Sequence, residues 1–196
     1  SYLDLIAYSI TEQLAALLPG IAIAVGLNWL LGKVFKITIH QESAVITALI
    51  LFFLFIPGLS WADNTGLWLA TAIAVASKFF LVYKRQHFLN PAALGAGVIL
   101  FTPFFSATWW VANPVLLAPL LIVGVLLIMK IRKGSLIGSF LVFSLGTYLF
   151  ENARLGQDLV AAGEIFLTSW PVFFLAFFML TEPFTMPATK RQQICY

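Results

Sequence analysis

The sequence predicts an all-α membrane protein of about seven transmembrane helices, two of them short or broken, with an internal two-fold repeat. Three observations predict it. The chain is 61% hydrophobic and 10% charged, against about 25% charged in an ordinary soluble domain. Such a surface needs lipid as its solvent, and a mean hydropathy of +0.99 agrees. Long apolar runs alternate with short clusters of Lys and Arg, which is how membrane topology is written. The two halves of the chain also overlay at a fixed shift. Residues 1–196 therefore read as a single transmembrane domain, with repeat halves of about 1–103 and 104–196.

Taken in order, the apolar segments are 14–31, 44–57, 66–83, 91–103, 111–129, 135–150 and 159–180. The opening SYLDLIAYSI lacks a basic leader region, so it reads as an amphipathic lead-in rather than a cleavable signal peptide. Segments 44–57 and 91–103 barely reach across a hydrocarbon core of about 30 Å. Bounded by Pro, they have the look of broken or half-helices that line a site near the midplane.

Charge orients the spans. Lys33 and Lys36 follow the first segment, Lys84 and Arg85 the third, Lys130, Arg132 and Lys133 the fifth, and Lys190 and Arg191 the seventh. The alternate loops carry Asp63, then no charge, then Glu151, Arg154, Asp158 and Glu164. By the positive-inside rule the protein is a multi-pass component of the inner (cytoplasmic) cell membrane, with its N-terminus outside and its C-terminus cytoplasmic. The net charge of +3 comes from these clusters and does not signal nucleic acid, which is not an expected partner. A single cysteine, Cys195, excludes an internal disulfide and any multi-cysteine metal site. No HExxH, CxxC or GxSxG pattern is present, and no metal site is expected.

At a shift of 92 positions, Ser43 falls on Ser135 and Pro91 on Pro183. Each half then ends in a chain turn with a polar residue before Pro: Asn90 in FLNPAALG and Glu182 in LTEPFTMP. In transporter-like folds such repeats place the functional site at the repeat interface. The second half stops where its counterpart helix would begin, so the chain is expected to be part of a longer protein.

Ionisable residues inside a membrane are costly and are candidates for function. Lys78, in AIAVASKFFLVY, either snorkels to the interface or presents a cation to a polar ligand. In KRQHFLNPAALGAG, Asn90 is an N-cap and Pro91 the first helical residue. The helix start offers N–H groups and a positive dipole end to carbonyl oxygens or an anion. Gly95 and Gly97 allow close approach of a helix or a flat ring. In FFMLTEPFTMPATKRQQ, Thr181, Glu182 and Thr185 gather two hydroxyls and a carboxylate at a helix break. Glu182 either pairs with Lys78 or Arg85, accepts from a ligand N–H, or is a solvated interfacial cap. Trp109 and Trp110 suit an outer aromatic belt.

At these residues the chain resembles the membrane subunits of the sodium-pumping NADH:quinone reductase (its B subunit) and of the Rnf electron-transport complex (its D subunit). The matching stretches are ESAVITALILFFLFIP at 42–57, ASKFFLVYKRQHFLNPAALGAGVILFTP at 76–103 and FFMLTEPFTMPATKRQQ at 177–193. NPAALG and TEPFT together carry the likeness. It is similar in length to a subgroup in which such a membrane domain precedes a ferredoxin-reductase-like FAD and NAD(P)H domain.

The resemblance implies a flavin-binding electron-transfer domain, the redox component of an NAD(P)H-linked oxidoreductase. Family members carry one flavin through phosphate on a Thr in an outer S-x-A-T segment. Here the SAT ending at Thr108 follows the NPA helix too soon and lacks an Asp-Gly lead-in. The implied cofactor is therefore a non-covalent riboflavin or FMN. Its implied binding residues are Lys78, His87, Phe88, Asn90, Pro91, Thr181, Glu182 and Thr185, with no catalytic side chain expected. The implied partners are the lipid bilayer, a cytoplasmic FAD/NAD(P)H reductase domain or subunit, and a quinone. The alternative reading is a small-molecule or ion transporter or channel, with broken-helix repeats and no redox cofactor. A third is a membrane anchor for a soluble reductase.

Overall fold

The computed structural model describes residues 7–83, 86–87, 89–104, 108–111, 114–168, 171–181 and 190–195. The described chain is overwhelmingly helical and divides into two compact units, Ser1–Val111 and Ala112–Tyr196.

The first unit contains α1 (Ile10–Phe35), α2 (Gln41–Leu54), α3 (Trp61–Phe80) and α4 (Pro91–Ile99). A two-residue ladder, β1 (Val82–Tyr83) with β2 (Gln86–His87), closes a tight antiparallel hairpin between α3 and α4. Local chemistry sets the helix ends. Ser9 and Glu12 form a reciprocal capping box at α1, and Ser60 and Asp63 form another at α3. At the other end of α1, Lys36 turns left-handed (φ 55°) and the Ile37 N–H donates to the Gly32 carbonyl at 3.0 Å.

Small residues set the packing. α1 buries Ala16, Gly20, Ala24, Asn28 and Gly32, an every-fourth-residue stripe on which neighbouring helices come close. Ala24 meets Ala44 and Ala48 of α2 and Val75 of α3 in one buried cluster. Buried Asn28 donates to the Gln41 side-chain oxygen at 3.0 Å and tethers the start of α2 to α1. The Trp68 indole N–H donates to the Ala16 carbonyl at 3.0 Å and ties α3 to α1. Trp110, expected in an outer belt, is fixed by contacts inside the unit. Its indole N–H donates to the Phe52 carbonyl at 2.8 Å, and its ring packs edge-on against Phe52 and Tyr8.

The second unit contains α5 (Pro114–Ile131), α6 (Gly134–Arg154), α7 (Leu159–Thr168), α8 (Val172–Phe174) and α9 (Lys190–Cys195). α8 runs directly into a π-helical turn, Leu175–Met179. Ile137, Ala176 and Phe177 form its buried cluster, packed by Leu121, Ile128 and Phe140. A Cβ at Gly124 would overlap the Phe177 ring, so α5 can approach the π turn only with Gly there.

Each of the seven apolar segments is helical over most of its length, but the helices differ in reach. Among the described residues, two helices are long and apolar enough to cross a membrane, α1 and α6. The count becomes three if α7 and the α8–π helix, bent by 52° at their junction, form one span. Of the others, α5 is apolar but shorter over its described part, Val115–Ile131. α2 has 14 residues and α4 has 9, or about 21 and 14 Å of helix against a core of about 30 Å. α3 is long enough at 20 residues but carries Asp63, Asn64, Thr65, Thr71, Ser77 and Lys78.

Candidate functional site

The first unit fixes an ammonium group between two helices. Lys78, near the end of α3, donates to the Ser43 carbonyl at 2.8 Å, to the Ser43 hydroxyl at 2.9 Å and to the Thr47 hydroxyl at 2.7 Å. Thr47 in turn donates to the Ser43 carbonyl at 2.9 Å. Ser43 and Thr47 are one helical turn apart on α2 and therefore face α3 together. Lys78 is thus engaged by a specific oxygen set, which simple snorkelling would not require. Ser43 and Thr47 were not singled out from sequence. The available signal was a pair of hydroxyls four residues apart on a short apolar helix, in a chain with a lysine inside a largely apolar segment.

α4 lies antiparallel to α3. A Cβ at Gly95 would overlap the Ala70 carbonyl and stand 3.0 Å from the Ala74 methyl, and one at Gly66 would overlap the Phe104 carbonyl. Gly95 is therefore used for a helix crossing. Pro91 lies four residues before Gly95, and Lys78 four residues beyond Ala74, about 6 Å along each helix. Lys78 and the start of α4 consequently stand at one level of the unit.

The start of α4 is more fully satisfied than sequence suggests. The Asn90 side-chain oxygen accepts from the Ala93 N–H at 3.0 Å, and the Asn90 carbonyl accepts from the Leu94 N–H at 3.0 Å. Pro91 has no N–H to offer. Ala92 is left as the one first-turn donor for another group, so the broad anion cradle expected here narrows to a single N–H.

On its outer side α4 carries a groove of about 560 Å³, within the roughly 300–1,000 Å³ of small-molecule pockets. It runs from Leu89 and Asn90 past Ala93, Leu94 and Gly97 to Phe101. Apart from Asn90 its walls are apolar. A Cβ at Gly97 would meet nothing within 4 Å, so the two glycines divide their roles: Gly95 faces a helix and Gly97 faces the groove.

Lys78, Asn90 and Pro91 thus share one unit and one level. His87 lies in β2, where its backbone pairs with Val82. Thr181 belongs to the second unit, is buried, and donates its hydroxyl to the Phe177 carbonyl at 2.5 Å, inside the π turn. Phe88, Glu182 and Thr185 lie outside the described residues, as do Lys84 and Arg85. Among the described residues no group of His, Cys, Asp and Glu could hold a metal ion. Set against protein-family models, curated proteins and solved structures, the chain gives no match.

Proposed function

We propose that the chain is a flavin-binding membrane electron-transfer domain, fed from a cytoplasmic NAD(P)H-oxidising reductase module and passing electrons to a quinone or across the membrane. One observation carries the reading. An apolar groove long enough for a flat ring runs along α4, and a fixed ammonium, Lys78, stands at the level where that groove begins. A flavin ring needs an apolar slot with a few polar groups at one end. Leu94, Gly97 and Phe101 would flank the ring, and Asn90 and the Ala92 N–H would meet its polar edge. A flavin supplies reversible electron storage, and a cation near its pyrimidine end favours the reduced anionic form.

The topology proposed with it is seven passes in two repeated halves, with the N-terminus outside and the C-terminus cytoplasmic. The alternation of basic and neutral or acidic loops supports it. The test is direct. The protein is purified in detergent, its visible spectrum recorded, and any extracted pigment identified by mass. A flavin at near one per chain is expected, and a colourless protein sinks the reading.

One observation favours a second reading, transport. The 52° bend between α7 and α8, next to a π turn, is the form of a discontinuous helix at a permeation site. Solute flux into liposomes by a protein without chromophore would establish transport in place of electron transfer.

A further inference from the structure

We propose that the C-terminal end of α1 is a binding site for the phosphate headgroup of an acidic glycerophospholipid. The proposal rests on α1 as a membrane span and is independent of the flavin reading. α1 has 26 residues, about 39 Å of helix against a hydrocarbon core of about 30 Å, so its last turns reach headgroup depth. A groove of about 430 Å³ opens there, lined by Trp29, Gly32, Lys33 and the Lys36–Ile39 turn, which includes Thr38.

The groove is built by the turn that ends the helix. Left-handed Lys36 reverses the chain, and Ile39 folds back so closely that a Cβ at Gly32 would overlap its side chain. That places two lysines on one short turn. Lys33 is further fixed over the Trp29 ring, 3.7 Å from its centroid. Among the described residues no carboxylate lines the groove. The C-terminal dipole of α1 opposes an anion, but the Gly32 and Lys33 carbonyls are already occupied by the N–H groups of Ile37 and Lys36.

The surroundings decide between a lipid and a water-soluble anion. Trp29 and Leu30, about one turn toward the bilayer interior from Lys33, have 50% and 51% of their surface exposed. An acyl chain runs inward from a bound headgroup across these side chains, whereas free phosphate gains nothing from them. Trp29, half exposed, is the amphipathic ring expected at such a depth. Each lysine near a membrane surface is worth about fivefold in binding acidic lipid, so the pair gives a preference of about 30-fold.

The test titrates the purified full chain with dioleoylphosphatidylglycerol or dioleoylphosphatidylcholine and counts retained lipid by native mass spectrometry. The native chain should retain phosphatidylglycerol about 30-fold more tightly. Lys33→Gln with Lys36→Gln should erase most of that preference, and the double Arg replacement should keep it. Lys130→Gln with Lys133→Gln, an equal charge change at another basic cluster, should leave it intact. Equal retention of the two lipids by the native chain overturns the proposal, and so does an equal loss in the Lys130/Lys133 variant. A third arm adds inorganic phosphate, and displacement of the lipid at millimolar phosphate would assign the site to a soluble anion instead.

Discussion

Replacing Thr47 with Val removes the Thr47 hydroxyl from the oxygens around the Lys78 ammonium while keeping the side-chain shape. It also removes the Thr47 donation to the Ser43 carbonyl, so the single variant reports more than one contact. A double-mutant cycle with Lys78→Met isolates the pair. Interhelical polar contacts in membranes average about 0.6 kcal/mol in such cycles. A charged donor roughly doubles a hydrogen bond. Lys78 is only half buried, which screens it and keeps the figure from rising further. The expected coupling is therefore about 1.2 kcal/mol. It is read from reversible unfolding of the purified chain in mixed micelles with rising dodecyl sulfate. A coupling indistinguishable from zero would refute the Thr47 contact as a support for Lys78, leaving the Ser43 oxygens to tie it to α2. Flavin content, followed in the same variants, separates fold from cofactor. Thr47→Val should retain cofactor, and Lys78→Met should make its reduction harder.

Two further outcomes follow from the same structure. Gly95→Val should destabilise the first unit by about 1–3 kcal/mol through overlap with the Ala70 carbonyl, whereas Gly97→Ala should stabilise it by about 0.5–1 kcal/mol, both in the same unfolding assay. Asp63, at the exposed start of α3, is held below the ordinary carboxylate range by its hydrogen bonds from the Ser60 side chain and backbone. A carboxyl lowered on folding stabilises the fold above its unfolded value of about 3.9 and loses that contribution as pH falls through the lower folded value. The stability difference between native protein and Asp63→Asn should accordingly shrink as thermal unfolding is followed from neutral pH to below about pH 4.

Features that depend on near neighbours could be read in advance. The α4 start follows from Asn90-Pro91, and the structure carries that N-cap with its donor from Ala93. The seven apolar segments follow from hydropathy, and helix occupies each. Their reach was less legible, because a segment's apolar length does not say where its helix stops. Segment 91–103 yields only nine helical residues, after which Thr102 and Phe101 leave the helix in a turn. Segment 159–180 yields two pieces, since Pro171 cannot donate to a continuing helix and the chain bends there.

The sequence by itself determined that this chain belongs with lipid, where α4 begins, and that Lys78 and Asn90 are unusual in their surroundings. Only the tertiary structure decided what they do there. Lys78 meets Ser43 from 35 positions away. Gly95 takes a helix while Gly97, two residues on, opens a groove. Trp110 seals the end of α2 from 58 positions away. Spacing along the chain fixes which residues share a helix face and which N–H groups a cap can reach. Which faces then meet depends on how small residues let helices approach, and that choice is made between segments distant in sequence.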